Sequence, residues 1–321
     1  MSRAKRQNEH WSSIFKHKIF EYIRTSRLSA WMTAAVFFLL GVWYSLGNIP
    51  FYQSIFALLA LGGIQSSTSW INFVFDRELD AFAGEDISFF KYISPREMIL
   101  SSFFLSVASL ILLFYLNYLM FLVGLSLVIV GVLYSAPPVR LKVHPPFDCI
   151  TNALEFGTLP VFLGFASAIY CSFNATLFIL AIIAGLIVVS YYLFLSVLDI
   201  ETDRKYGVKT SCTLLGLNRT IDVGLIIFFF SLVLSILFFR FFSLISISLF
   251  ICIPIILLIK IKTDYNSIAK ILSCVSFVWT ESVLLFLFIL SNSVIPIFVF
   301  VLVFLSASYF VYVYLSVIKN S

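Results

Sequence analysis

The chain has 321 residues, of which 61% are hydrophobic, 18% aromatic and only 12% charged, with a net charge of +5. An average soluble domain carries about 25% charged residues, so this composition excludes a water-soluble globule and requires lipid as the solvent. The positive charge gives no nucleic-acid signal, because Lys and Arg flank long apolar runs rather than forming a basic patch.

Residues 1–27 are polar and basic, with Trp11, Ile14, Phe15, Ile19, Tyr22 and Ile23 interleaved among Lys and Arg. That pattern predicts an interfacial amphipathic segment on the inner membrane surface, and it lacks the apolar core of a cleavable leader. Crossing the hydrocarbon core takes about 20 apolar residues. Ten runs qualify: 28–46, 51–72, 98–116, 118–135, 150–170, 176–198, 221–239, 242–260, 267–290 and 294–317. Of the 21 Lys and Arg residues, all but Arg240 fall on one side of these spans. Cytoplasmic loops are enriched in Lys and Arg, so both termini and the loops after the even-numbered spans are expected inside. The expected fold is all-α: a polytopic membrane bundle of about nine to ten helices, in which ten spans preserve the charge alternation. Residues 28–321 then form one transmembrane domain, with 28–135 and 150–260 as candidate four-helix repeats followed by two C-terminal spans. Cys149, Cys171, Cys212, Cys252 and Cys274 show no paired spacing, so neither a disulfide framework nor a zinc site is expected. His10, His17 and His144 are isolated.

The acids are concentrated. At the end of the second span Asn72, Asp76 and Asp80 recur every four residues, which places them on one face if the helix continues. The sixth span ends in the same way, with Asp199 and Asp203 one turn apart and Gly207 a turn further on. Polar groups at the ends of apolar runs are costly and mark functional sites by default. One such cluster alone could be a solvated helix end; two at corresponding helices on the same side form a candidate site. Carboxylate oxygens without His or Cys favour Mg²⁺, or Mn²⁺, over zinc. Mg²⁺ is usually held by one or two carboxylates together with substrate phosphates and water. Two acid pairs facing one another therefore suit a diphosphate, and a cavity in the membrane suits a hydrocarbon tail, so the expected substrate is an allylic diphosphate.

The pattern NxxxDxxxD (Asn72, Asp76, Asp80) followed by DxxxDxxxGxxT (Asp199, Asp203, Gly207, Thr210) resembles the two aspartate-rich motifs of the UbiA superfamily of intramembrane prenyltransferases. Between them, Tyr134-Ser135-Ala136-Pro137-Pro138-Val139-Arg140-Leu141-Lys142 is similar to that family's loop after helix four, and the resemblance covers roughly residues 20–220. It implies a helical bundle around a central cavity and transfer of a prenyl group to a lipophilic acceptor. Asp76, Asp80, Asp199 and Asp203 would hold Mg²⁺. Asn72, Tyr134, Arg140 and Lys142 would lie at the diphosphate, as would Arg77 and Arg204; Arg27, just before the first span, could also reach it, although that place favours a snorkelling anchor. The chain departs from the family pattern at Ala81–Asp86, at Pro138 in place of a lysine and at Phe73 in place of an aspartate. The acceptor stays open among an aromatic quinone precursor, a carotenoid chain end and a lipid, and Thr210–Gly216 leans toward the last two. The expected reaction ionises the donor to an allylic cation, but the sequence singles out no aromatic to face the cation and no proton-accepting base. Alternative classes are a transporter, whose repeats also enclose polar sites, and a catalytically silent scaffold of the same fold.

Overall fold

The computed structural model describes residues 16–168 and 173–238. The expected spans 242–260, 267–290 and 294–317 lie outside the described residues, as do Trp11, Ile14 and Phe15. Every regular element described is helical. In chain order these are α1 (16–25), α2 (Leu28–Leu46), α3 (Phe51–Ala83), α4 (Pro95–Leu116), α5 (Tyr118–Ser135), α6 (Phe147–Ala153), α7 (Leu159–Phe165), α8 (Ala175–Ser196), α9 (Ile200–Tyr206), α10 (Ser211–Leu215) and α11 (Leu217–Phe238). Among the described residues α3, α4, α5, α8 and α11 are long and apolar enough to cross a membrane, and the chain is an integral membrane protein.

Local sequence explains the helix ends. Asn117 and Asn174 accept the free N–H groups of Leu119 and Leu177 at the starts of α5 and α8. Ser94 caps α4 ahead of Pro95, whose missing N–H costs nothing in the first turn. Gly84, at φ 79°, closes α3 in a left-handed conformation that other residues adopt reluctantly. With 33 residues, α3 is about 50 Å long at 1.5 Å per residue, well beyond a hydrocarbon core of about 30 Å. The helix is therefore longer than a perpendicular crossing needs, and Asp76 and Asp80 lie in its last two turns.

The fifth and sixth expected spans are both interrupted. Residues 150–170 divide into α6, a π-turn at Leu154–Thr158, and α7. Residues 176–198 end at Ser196, and α9 starts afresh after Asp199. No glycine or proline marks that second break in the sequence.

The core centres on α2, whose Ala34–Leu40 stretch is buried against α3 and α7. Lipid tails supply no hydrophobic drive for helix association, so small residues and interhelical hydrogen bonds do the holding. Ser102 and Ser106 of α4 donate to the carbonyl and hydroxyl oxygens of Ser67 at 2.8 and 2.7 Å, and Ser190 donates to the Gly224 carbonyl at 2.8 Å. The tightest approach joins α2 to α7. A Cβ on Gly164 would lie 1.9 Å from the Phe38 carbonyl oxygen, and one on Gly41 would lie 2.1 Å from that of Val161. Both obstacles are backbone. Gly164→Val is therefore expected to separate the two helices, at a cost of at least the 1–3 kcal/mol, roughly, typical of overpacking. Size-exclusion chromatography of the tagged protein in mild detergent should show the monodisperse peak lost or greatly reduced.

Helix α1 lies across one end of the bundle. Lys18 pairs with Glu97 at 2.7 Å, Arg24 pairs with Asp86, and the Tyr22 hydroxyl shares a 2.8 Å hydrogen bond with Ser101. Ile19, Phe20 and Ile23 point outward, giving the described part of this segment the amphipathic form expected of it. Tyr22 is the exception, with its ring 4.8 Å from that of Trp70.

Candidate active site

The C-terminal ends of α3, α5 and α8 and the start of α2 converge at the end of the bundle covered by α1. Since α3 continues unbroken past residue 72, Asn72, Asp76 and Asp80 share one face, as their spacing requires. Asp76 is only 2% exposed yet fully compensated. Arg140 Nη2 donates to its Oδ1 at 2.8 Å, Lys142 is ion-paired with its Oδ2, and Asn72 Nδ2 donates to the same oxygen at 2.6 Å. Asn72 is held in turn against Ser135 Oγ at 3.1 Å. Arg140 adopts φ 40° where the loop leaves α5 for a short 3₁₀ turn at Leu141–Val143, so both cations of the loop fold back onto α3.

The second acid pair survives the break after α8. The Asp203 N–H donates to the Asp199 carbonyl at 2.8 Å, which keeps the two residues one turn apart at the start of α9. The two motifs lie side by side: the rings of Phe82, just past Asp80, and Tyr206, just past Asp203, are 5.2 Å apart. Lys142 is the shared centre, since its charge acts on Asp80, Asp199 and Asp203 in addition to its ion pair with Asp76. The Tyr134 hydroxyl is hydrogen bonded to Asn152 and lies within electrostatic reach of Asp76.

Three further arginines take different places. Of the two roles open to Arg27, its contacts favour the one at the site, reached from a left-handed backbone position. Its guanidinium sits 4.5 Å from the Phe73 ring centroid, and its charge acts on Asp80 and Asp199. Arg77 stacks on Phe90 at 5.5 Å, while Arg204 donates to the Thr213 carbonyl at 3.1 Å. Neither is brought to the acid cluster by these contacts. Residues one position from an aspartate on a helix point about 100° away from it, which is why sequence adjacency misleads here.

Two further acids were not singled out by the sequence. Asp148 is fully buried and accepts from Ser211 N at 2.7 Å, Ser211 Oγ at 2.6 Å and Tyr192 OH at 3.2 Å, which ties α6 to α8 and α10. Glu155 is buried in the π-turn and accepts from Thr68 Oγ1 at 2.8 Å. The available signal was an ionisable residue inside or beside an apolar run.

Among the described residues no three His, Cys, Asp or Glu side chains already close into a metal-ligating group. The four aspartates fit a hard divalent cation that shares its shell with substrate oxygens. Burial, and then the neighbouring Asp203, push the Asp199 carboxyl up to about 6, and burial raises Asp203 as well. A pair desolvated in this way favours a cation brought to it. Arg140 Nε is buried without a hydrogen-bond partner, leaving a donor for an anion at the same place. Because the shift is upward, Asp199 carries its proton below about pH 6 and is a poor ligand there. Mg²⁺ affinity measured by calorimetry on the detergent-purified protein is thus expected to strengthen between pH 5 and 7 and then level off.

Comparison with known proteins agrees with this geometry. The model of the UbiA prenyltransferase family matches residues 34–269. Lycopene elongase/hydratase of Halobacterium salinarum is 37% identical over 90 residues, and that of Haloarcula japonica 38% identical over 88. Each match covers 27% of this chain and spans 30% and 28%, respectively, of the relative's length. A solved UbiA homolog from Archaeoglobus fulgidus, bound to DMAPP and Mg²⁺, superposes with a TM-score of 0.67 at 22% identity, over 85% of this chain and 99% of that one. A structure of digeranylgeranylglyceryl phosphate synthase gives 0.62 at 17% identity, over 85% and 98%. At these identities the superpositions speak for the fold.

Proposed function

Because the chain belongs to the UbiA prenyltransferase family, we propose that it moves a prenyl group from an allylic prenyl diphosphate to a lipophilic acceptor, with the site on the cytoplasmic side of the membrane. The observation that carries this reading is that both aspartate motifs lie at one end of the helical bundle, where Arg140 and Lys142 are ion-paired to Asp76 and the charge of Lys142 also bears on Asp80, Asp199 and Asp203. Asp80, Asp199 and Asp203, with Asp76, would hold Mg²⁺, which supplies positive charge against the diphosphate as it departs.

The chain's own residues perform the remaining work. Asp76 keeps Arg140 and Lys142 in place, so that their free N–H groups face the diphosphate without reorganising as negative charge develops on its bridging oxygen. Arg27 adds a third cation, whose charge bears on Asp80 and Asp199. The C1–O bond breaks with its electron pair leaving on the diphosphate, and C1 then bonds to the acceptor carbon. Apolar helices below the charged end keep water from the allylic cation, which would otherwise be captured as an alcohol. For the acceptor, the local likeness to two lycopene elongases favours the end of a carotenoid chain, in keeping with the lean given by Thr210–Gly216.

The test is direct. Protein reconstituted in liposomes receives Mg²⁺ with dimethylallyl, geranyl, farnesyl or geranylgeranyl diphosphate, and lycopene or a membrane lipid extract. Diphosphate release is followed together with the masses of the lipids. Cation-dependent release with a new mass of acceptor plus prenyl is expected. Folded protein that releases no diphosphate from any donor would end this reading in favour of a transporter or a silent scaffold.

A further inference from the structure

The proposed reaction releases a proton from the acceptor, and the four aspartates cannot receive it while they hold a cation. The α3 face that bears Asp80, Asp76 and Asn72 continues inward through Thr68 at the same four-residue interval. Thr68 lies about 12 Å below Asp76 along the helix axis, at 1.5 Å per residue. There its hydroxyl donates to Glu155 Oε1 at 2.8 Å, so the polar positions of α3 wind from the aspartates to a buried carboxylate.

The surroundings of Glu155 are built to keep it there. In the π-turn the Leu159 N–H bonds to the Leu154 carbonyl, five residues back. The next donor in that register would be residue 160, which is proline and has no N–H. The Glu155 carbonyl is thereby left over, and Gln65 Nε2, from α3, takes it at 3.1 Å. The extra residue of a π-turn re-aims the side chains around it, and such turns recur at functional sites. Residue 131 of α5 must be glycine for the pair to fit, since a Cβ there would lie 2.3 Å from Thr68 Cγ2 and 3.0 Å from Glu155 Oε1. Gln65, only 1% exposed, leaves its Oε1 buried without a hydrogen-bond partner. The neighbourhood thus offers a second acceptor that a proton-bearing group can satisfy. The charge of Arg27, which acts on Asp80 and Asp199, acts on Glu155 too, and Glu155 in turn acts on Tyr134. The carboxylate is thus electrostatically coupled to the end of the bundle that holds the aspartates.

We infer that Glu155 is the proton acceptor of the prenyl transfer. The inference rests on the proposed function. Once C1 has bonded to the acceptor carbon, the adduct is a cation. Its neighbouring C–H proton passes to the Glu155 carboxylate, and the C–H electron pair restores the double bond. Thr68 holds the carboxylate as an acceptor, and Gln65 fixes the backbone that carries it.

The experiment uses the full chain in liposomes with Mg²⁺, dimethylallyl diphosphate and lycopene, and measures diphosphate release and adduct formation in the same reaction. Positioned acid–base groups contribute about 10²–10⁴-fold. Glu155→Gln is expected to lower formation of the unsaturated adduct at least about 100-fold while diphosphate release continues: the stranded adduct cation is either captured by water as a hydrated adduct or reverts to the allylic cation, which is captured as dimethylallyl alcohol. Glu155→Asp, which keeps a base one methylene shorter, should restore part of the adduct and shift the partition back. General damage to the fold would lower release and adduct together at an unchanged ratio, and that result would overturn the inference. Formation of the unsaturated adduct by Glu155→Gln within about threefold of wild type would overturn it as well. A wild-type protein that forms no adduct with any acceptor would refute the proposed function instead, so the two failures are distinguishable.

Discussion

Asp76→Asn is expected to lower prenyl transfer by about 10³-fold while the protein remains folded in the membrane. The carboxylate is 2% exposed and is engaged by Arg140, Lys142 and Asn72 at once. Asparagine preserves its size and one acceptor oxygen but removes the charge that holds two cations. Breaking a buried pair by removing one partner costs roughly 3–5 kcal/mol, and about 1.4 kcal/mol corresponds to tenfold, so a loss of about 10²–10³·⁵ follows. The price is paid in the site more than in the fold, because Arg140 and Lys142 are partly exposed and can swing toward water. Diphosphate release in liposomes measures the loss, and thermal denaturation in detergent checks that the protein stays folded. The pairing also predicts non-additivity. Lys142→Met should be costly in the wild-type background but add much less once Asp76 is asparagine. Activity of Asp76→Asn within tenfold of wild type would remove this aspartate from the reaction.

What could be read in advance followed from periodicity. Asn72, Asp76 and Asp80 share a face because α3 continues, and four-residue spacing on a continuous helix has only one geometric meaning. Asp199 and Asp203 gave the same signal and kept the same relation, although the helix expected to carry both stops at Ser196. That break is governed by how α9 and α10 pack beneath α3 and against α8, information that no local pattern holds. Arg140 and Lys142 were legible only through the family resemblance, since loop residues have no period. Arg27 stayed open between two roles because an arginine just before an apolar span looks the same whether it snorkels to the surface or turns toward the acids. Its left-handed backbone and its contact with Phe73 separate the two. Glu155 stood in plain view within an apolar run, but a single acid has no partner to give it meaning until α3 brings Thr68 and Gln65 against it.

Asp148 carries the second large expected effect, and it acts through structure. Its three hydrogen bonds fasten the start of α6 to Ser211 at the head of α10 and to Tyr192 near the end of α8. These two attachments bracket residues 197–210, the segment containing Asp199 and Asp203. Hydrogen bonds to a charged group contribute about 1.5–3 kcal/mol each, and a stranded buried donor costs about 1–3 kcal/mol. Removing the carboxylate also relieves its own desolvation, so Asp148→Ala is expected to cost about 4 kcal/mol overall. Asp148→Asn, which can still accept from Ser211 N, should cost about 1–2 kcal/mol. The apparent melting temperature in detergent should therefore fall in the order wild type, Asn, Ala. The asparagine variant carries the more informative result, because it stays folded while the bracket loosens. Its affinity for Mg²⁺ with prenyl diphosphate should weaken, although no ligand of either has been altered. A variant that lost stability but bound both as tightly as wild type would show that α9 holds Asp199 and Asp203 in place without this buried carboxylate.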